Sequence, residues 1–132
     1  MASIVFINCK DQPFVDQIML GEKRMETRTR NTLGDVCGNY VLIAETGKGK
    51  PVVKCMAYLG TPHVVRTRAE WDKKYLHRAC IPEGSKYDWQ SDTKVKWCYQ
   101  LMNVIKLKPF TPPEGKRHGR VWMEYEGMVE VL

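Results

Sequence analysis

A small, mostly antiparallel β-barrel of the α+β class, with two main helices at its sides or ends, is what residues 1–132 predict as a single domain. Three observations carry that prediction. Apolar or alternating runs of strand length recur about six times, and only two segments show helical spacing. The order β-α-β-β-β-α-β-β also lacks the βαβαβ alternation of a doubly wound parallel sheet. Short strands in that order bury their apolar faces by curling around one core, and 132 residues suffice to enclose one without disulfides or metal.

Residues 3–9 are β-branched and apolar without helical spacing, the pattern of a buried first strand. A helix over residues 13–20 comes next. Asp11 or Gln12 stands at its N-cap, and Phe14, Val15, Ile18 and Met19 make its apolar stripe. Gly21 falls where a left-handed residue ends a helix. Residues 25–28 form a short strand closed by a turn-prone stretch at 31–34. Residues 40–44 and 52–59, joined by a glycine- and proline-containing turn, form a hairpin.

The second helix opens on the capping box Thr67-x-x-Glu70 and carries Trp71, Tyr75, Leu76, Ala79 and Cys80 on one face. Pro82 and Gly84 stop it, and residues 82–93 have no period and read as a loop. Residues 94–101 alternate, with Val95, Trp97, Tyr99 and Leu101 on one face and Lys94, Lys96, Cys98 and Gln100 on the other. That strand continues toward Ile105. After a basic loop at 109–119 come a strand at 120–125 and an edge strand at 128–132.

The formal net charge is +6, spread along the chain, which favours an anionic partner. A basic, well-solvated surface is the plain alternative. No apolar run reaches the ~20 residues of a membrane-spanning helix, and the start lacks a basic leader and long apolar stretch. A cytoplasmic protein without membrane contact, monomeric by default, is therefore expected. Five scattered cysteines fit neither a disulfide framework nor a zinc ribbon, and read as buried, reduced thiols. His63, His77 and His118 do not fall at metal-ligand spacing, so no metal and no other cofactor is expected.

The most informative segment is Gly21-Glu22-Lys23-Arg24-Met25-Glu26-Thr27-Arg28. On an extended strand, period two puts Glu26 and Arg28 on one face, within reach of an ion pair, and Lys23 in the preceding turn can swing over them. A solvated turn holding one ion pair explains the same residues without function. Two basic groups stand outside it. Lys116, Arg117, His118 and Arg120 form a compact, glycine-flanked loop group suited to phosphate, while Arg66, Arg68, Lys73, Lys74 and Arg78 surround the second helix, where a wet face accounts for them.

The helix and the G-x-K-x-x-E-x-R after it, with Gly21, Lys23, Glu26 and Arg28 in order and spacing, resemble the ASCH domain signature. The run from Trp97 to Val104, continuing through Pro109, Gly115 and Gly119 to Trp122, is similar to that family's closing pattern. The resemblance implies a PUA-like β-barrel with a charged cleft beside the first helix that receives RNA or a modified nucleobase. It places Lys23, Glu26 and Arg28 at the cleft floor; the basic loop with Lys116, Arg117 and Arg120 is read as its rim, and Trp97, Tyr99 and Trp122 are the candidate stacking rings. Aromatic residues on alternating strands are more often core.

The family also implies two hydrolytic alternatives. In its amidohydrolases, which act on acylated cytidine, a threonine nucleophile occupies the position of Glu26. A carboxylate cannot take over acyl-enzyme formation, and Glu26 would have to act as a general base with Lys23 and Arg28 beside it. A metal-independent ribonuclease built on the same three residues is the other alternative. An adaptor whose basic face binds an acidic protein is a third reading, from a different class.

Overall fold

The computed structural model describes residues 2–132. Its elements are β1 (Ala2–Asn8), α1 (Phe14–Met19), β2 (Met25–Arg28), β3 (Asn39–Thr46), β4 (Val52–Val65), α2 (Arg68–Glu70), β5 (Lys96–Phe110) and β6 (Trp122–Tyr125). They form one six-stranded sheet in the order β2-β5-β4-β3-β1-β6.

The expected antiparallel barrel is corrected in two respects. First, β1 runs parallel to β3, pairing Ile4 with Leu42 and Phe6 with Ala44. The segment between them holds α1 and β2, long enough to bring the chain back in the same direction. Second, β2 and β6 are the two ends of the sheet and do not pair with each other, so it is a curled, mixed half-barrel.

Both faces of the central strands are buried. From β1, Val5 and Ile7 enter one apolar cluster while Ile4 and Phe6 enter the other. Strand β3 divides the same way, with Val41 and Ile43 against Leu42 and Ala44. On β4, Val53 and Cys55 fall into opposite clusters although period two would put them together. The register shift at that point makes Lys54 the extra residue of a β-bulge, which re-aims the side chains of the strand beyond it. Burial pushes the Cys55 thiol up to about 12.

Strand β4 runs on through Gly60 and Pro62 to Val65, beyond the expected end at residue 59. A further register shift between Leu59 and Pro62 accommodates the proline, which cannot donate to a ladder.

The capping threonine works as expected, Glu70 N–H donating to Thr67 Oγ1 at 3.2 Å. Beyond Glu70 the helix widens into a π-helical stretch, Trp71–Tyr75, closed by Leu76 N–H donating to Trp71 O at 3.0 Å. Trp71, Tyr75, Leu76 and Ala79 are buried as the spacing predicts. The expected 128–132 strand is reduced to a bridge between Val131 and Leu107. No helix among the described residues is long and apolar enough to cross a membrane.

Candidate functional site

Helix α1 ends as its sequence predicts and begins otherwise. Neither Asp11 nor Gln12 caps it by side chain; Asp11 is drawn instead to Lys86 at 2.5 Å and to the Tyr87 hydroxyl at 3.3 Å. At the other end Gly21 has φ +78°. Gly21 N–H donates to Ile18 O at 3.1 Å and Glu22 N–H to Gln17 O at 2.9 Å, a complete Schellman motif. That turn aims the chain into β2, where Glu26 pairs in register with Tyr99 and Arg28 with Trp97 of β5.

Period two then brings the charges together. Arg28 Nη2 lies 3.0 Å from Glu26 Oε2, and Lys23 Nζ lies 3.5 Å from Glu26 Oε1. The side chains are 0% (Lys23), 8% (Glu26) and 21% (Arg28) exposed, so the row climbs from the core to an accessible surface. Lys23 does not swing over the open face. It donates to Ala79 O at 2.6 Å and rests 4.5 Å from the Phe14 ring centre, sealed beneath Glu26.

The accessible surface is a hollow of about 440 Å³ lined by Glu26, Arg28, Phe14, Tyr87, Arg117 and Arg120 among others, but not by Lys23. It occupies the place where the half-barrel fails to close. Strand β6 is in register with Ala2 to Val5, and the edge contact ends with Phe6 N–H donating to Val121 O at 2.9 Å, so that Phe6, Ile7 and Asn8 form the hollow's wall facing β2. Arg28 Nη2 crosses this seam to donate to Phe6 O at 3.2 Å. The Arg117 guanidinium sits 3.9 Å over the Phe6 ring, and Tyr87 meets Phe14 edge to face at 5.3 Å.

Burial pulls the Lys23 ammonium below its ordinary pKa, against the opposing pull of Glu26. Burial also works to raise the Glu26 carboxyl, but the Arg28 and Lys23 charges and the hydrogen bonds from Arg28 and Thr27 N–H outweigh it, so Glu26 titrates below the usual carboxylate range. Asp88 is lowered too, three donated hydrogen bonds overcoming its burial. Carboxylates depressed in the folded state stabilise it fully above their unfolded pKa and lose that contribution as pH falls through the folded value. Stability is therefore expected to be flat down to about pH 5 and to fall steeply below about pH 4. Urea midpoints across that range check this; a midpoint unchanged from about pH 5 to about pH 2.5 would contradict it.

Solved structures with this architecture exist. The ASCH protein of Zymomonas mobilis superposes with a TM-score of 0.67 at 21% identity, covering 83% of this chain and 73% of that one. A point mutant of the same protein gives 0.67 at 20% identity, covering 83% and 75%. The chain has the ASCH-domain fold. No family model matches the sequence, and no curated protein does either.

Within this ASCH fold the other expected site residues separate. Arg117 and Arg120 line the seam hollow, whereas Lys116 is exposed and lines neither it nor the hollow beside it. Tyr99 has no face open to a ligand. It is fully buried, its hydroxyl donating to Asn31 Oδ1 at 2.6 Å and accepting from Leu33 N–H at 3.4 Å. Trp97 packs half-buried against the core and lines neither hollow. Trp122 is half-buried under His118, the rings stacked with centres 4.0 Å apart. His63 and His77 line neither hollow.

The hollow's aromatic wall is not evident from the sequence, where Phe14 belongs to the helix stripe and Tyr87 to a loop without period. Tyr87 is held in place by its neighbour Asp88, which is buried and organises that loop, and no sequence pattern signals it.

Proposed function

We propose that the seam hollow binds single-stranded RNA or a nucleoside, with the base entering between the β1 and β2 edges. One observation carries this: a buried carboxylate–guanidinium pair forms the floor of a hollow that also offers aromatic side chains and two arginines free of ion pairs among the described residues. Arginine engages phosphate and base-edge acceptors, Tyr87 and Phe14 present apolar surface to a base, and Glu26 fixes the orientation of Arg28. The match to ASCH structures supports the reading at the level of fold alone.

The hydrolytic alternatives are less well supported by the same geometry. Both Glu26 oxygens are engaged, Oε2 by Arg28 and Oε1 by Lys23 and by Thr27 N–H at 3.2 Å. A carboxylate so held, and depressed in pKa, is a poor general base near neutrality. Lys23 is shut away from the hollow.

Arg117→Ala combined with Arg120→Ala is expected to weaken binding of an RNA of about eight nucleotides by roughly tenfold or more, and to flatten the salt dependence by roughly 0.7 for each phosphate no longer neutralised. Fluorescence anisotropy over a salt series reads both. Unchanged affinity and slope would remove the seam from RNA binding.

A further inference from the structure

We propose that the seam holds a dinucleotide step: one base in the hollow already described, the next in a second hollow beside it, and the connecting phosphodiester on Arg28 and Arg120. The inference rests on the reading that the first hollow takes a nucleobase. The second hollow, of about 580 Å³, adjoins the first, and Arg28 and Thr29 line both. Arg30, Thr32, Asp35, His118 and Trp122 are among its other lining residues.

A tight turn builds the border between the two. Gly119 and Arg120 have φ of +57° and +58°, and Val121 N–H donates to His118 O at 3.0 Å, the form of a type I′ hairpin turn. A non-glycine residue at positive φ is strained, and such positions persist where the surroundings over-determine them. The turn gives Arg120 to the first hollow while Gly119 lines the second.

Arg28 commits only Nη2, to Glu26 and to Phe6 O; Nε and Nη1 have no protein partner among the described residues. Arg120 is likewise in no ion pair among them. Two guanidiniums at one border suit the forked geometry of a phosphate. Beyond the border, the His118 imidazole lies flat on Trp122, 22° from parallel with centres 4.0 Å apart, and its outer face is a preformed flat surface of the kind on which bases of any sequence stack. Asp35, exposed at the edge, offers an acceptor to an exocyclic amine.

Base, phosphate, base is thus matched by hollow, paired arginines, hollow. An acidic peptide would satisfy the arginines and leave the ring faces unused.

Calorimetric titration of four probes decides the matter: a nucleoside, its 3′-monophosphate, the corresponding dinucleoside monophosphate, and hexaglutamate. The dinucleotide is expected to bind at least about tenfold tighter than the mononucleotide, since the second base adds a stacking contact. Trp122→Leu takes away the indole that holds the His118 ring flat, and so removes that gain and leaves nucleoside affinity unchanged. Arg30→Ala, at an exposed residue of the second hollow only, reduces the same gain should the Trp122 variant fail to fold. Nucleoside and mononucleotide binding with no gain for the dinucleotide would overturn this inference and leave the first hollow's role intact. Absence of binding by all three RNA probes would overturn both, as would hexaglutamate binding as tightly as the dinucleotide.

Discussion

Glu26→Ala is expected to cost about 3–5 kcal/mol of folding stability, the usual penalty for removing one partner of a buried ion pair. The substitution leaves the Lys23 ammonium with no exposed surface, one carbonyl acceptor and the face of Phe14, and no counter-charge within reach. It also deprives Arg28 of the bond that holds its guanidinium on the hollow's floor. Replacing Lys23 and Glu26 together with methionine and leucine removes the stranded charge and is expected to recover most of the loss, since a buried pair is about neutral against apolar residues of similar volume. Urea denaturation of the single and double variants at neutral pH makes the comparison. A Glu26→Ala protein within about 1 kcal/mol of the parent would mean that the carboxylate does not hold the row together. The double variant then serves as a stable background in which to ask whether Arg28 needs Glu26 to engage RNA.

The local grammar of the chain is legible wherever one residue or one period decides the outcome. Gly21 announces the end of α1, Thr67 the cap of α2, and period two along β2 the meeting of Glu26 with Arg28. What stays hidden depends on partners distant in sequence. The more polar of the two faces that alternation gives β5 contains Lys96 and Cys98, which are 5% and 0% exposed. Lys96 is covered by the 82–93 loop, its Nζ donating to Tyr87 O at 2.6 Å, and Cys98 by the apolar cluster that holds Tyr75, Leu76 and Ala79. Burial in turn pushes the Cys98 thiol up to about 12.

The same limitation applies to the site. Its three motif residues lie close together in the sequence, so their convergence can be read from it. The hollow in front of them exists because backbone pairing along that edge of β1 ends at Phe6 and the sheet stops without closing. Nothing in the composition of β1 distinguishes Val5, which has a β6 partner, from Phe6, which faces the seam. Lys116 and Arg117 are also indistinguishable by charge and position, and the path of the loop alone puts Arg117 over Phe6.

Asp88→Ala is expected to impair binding although Asp88 lines neither hollow. Its carboxylate, on a residue only 2% exposed, accepts from Trp71 Nε1 at 2.7 Å, Trp89 N–H at 2.6 Å and Gly84 N–H at 2.8 Å. Lys96 completes the knot through Tyr87 O and Asp88 O and lies 4.7 Å from the Trp71 ring centre. Without the carboxylate three donors lose their acceptor, one of them an indole N–H on a fully buried tryptophan, at an expected cost of about 3 kcal/mol. Asp88→Asn is expected to fall between the two, because an amide oxygen still accepts from Trp71 and Trp89 while its NH₂ group meets the Gly84 N–H donor to donor. The loop that loosens carries Tyr87, a wall of the first hollow, so nucleoside affinity should drop several-fold at a temperature where Asp88→Ala is still folded. Hydrogen exchange over residues 82–93, measured beside nucleoside titration, separates local loosening from global instability. Faster exchange in that loop with unchanged nucleoside affinity would show that base binding does not depend on where Tyr87 is held.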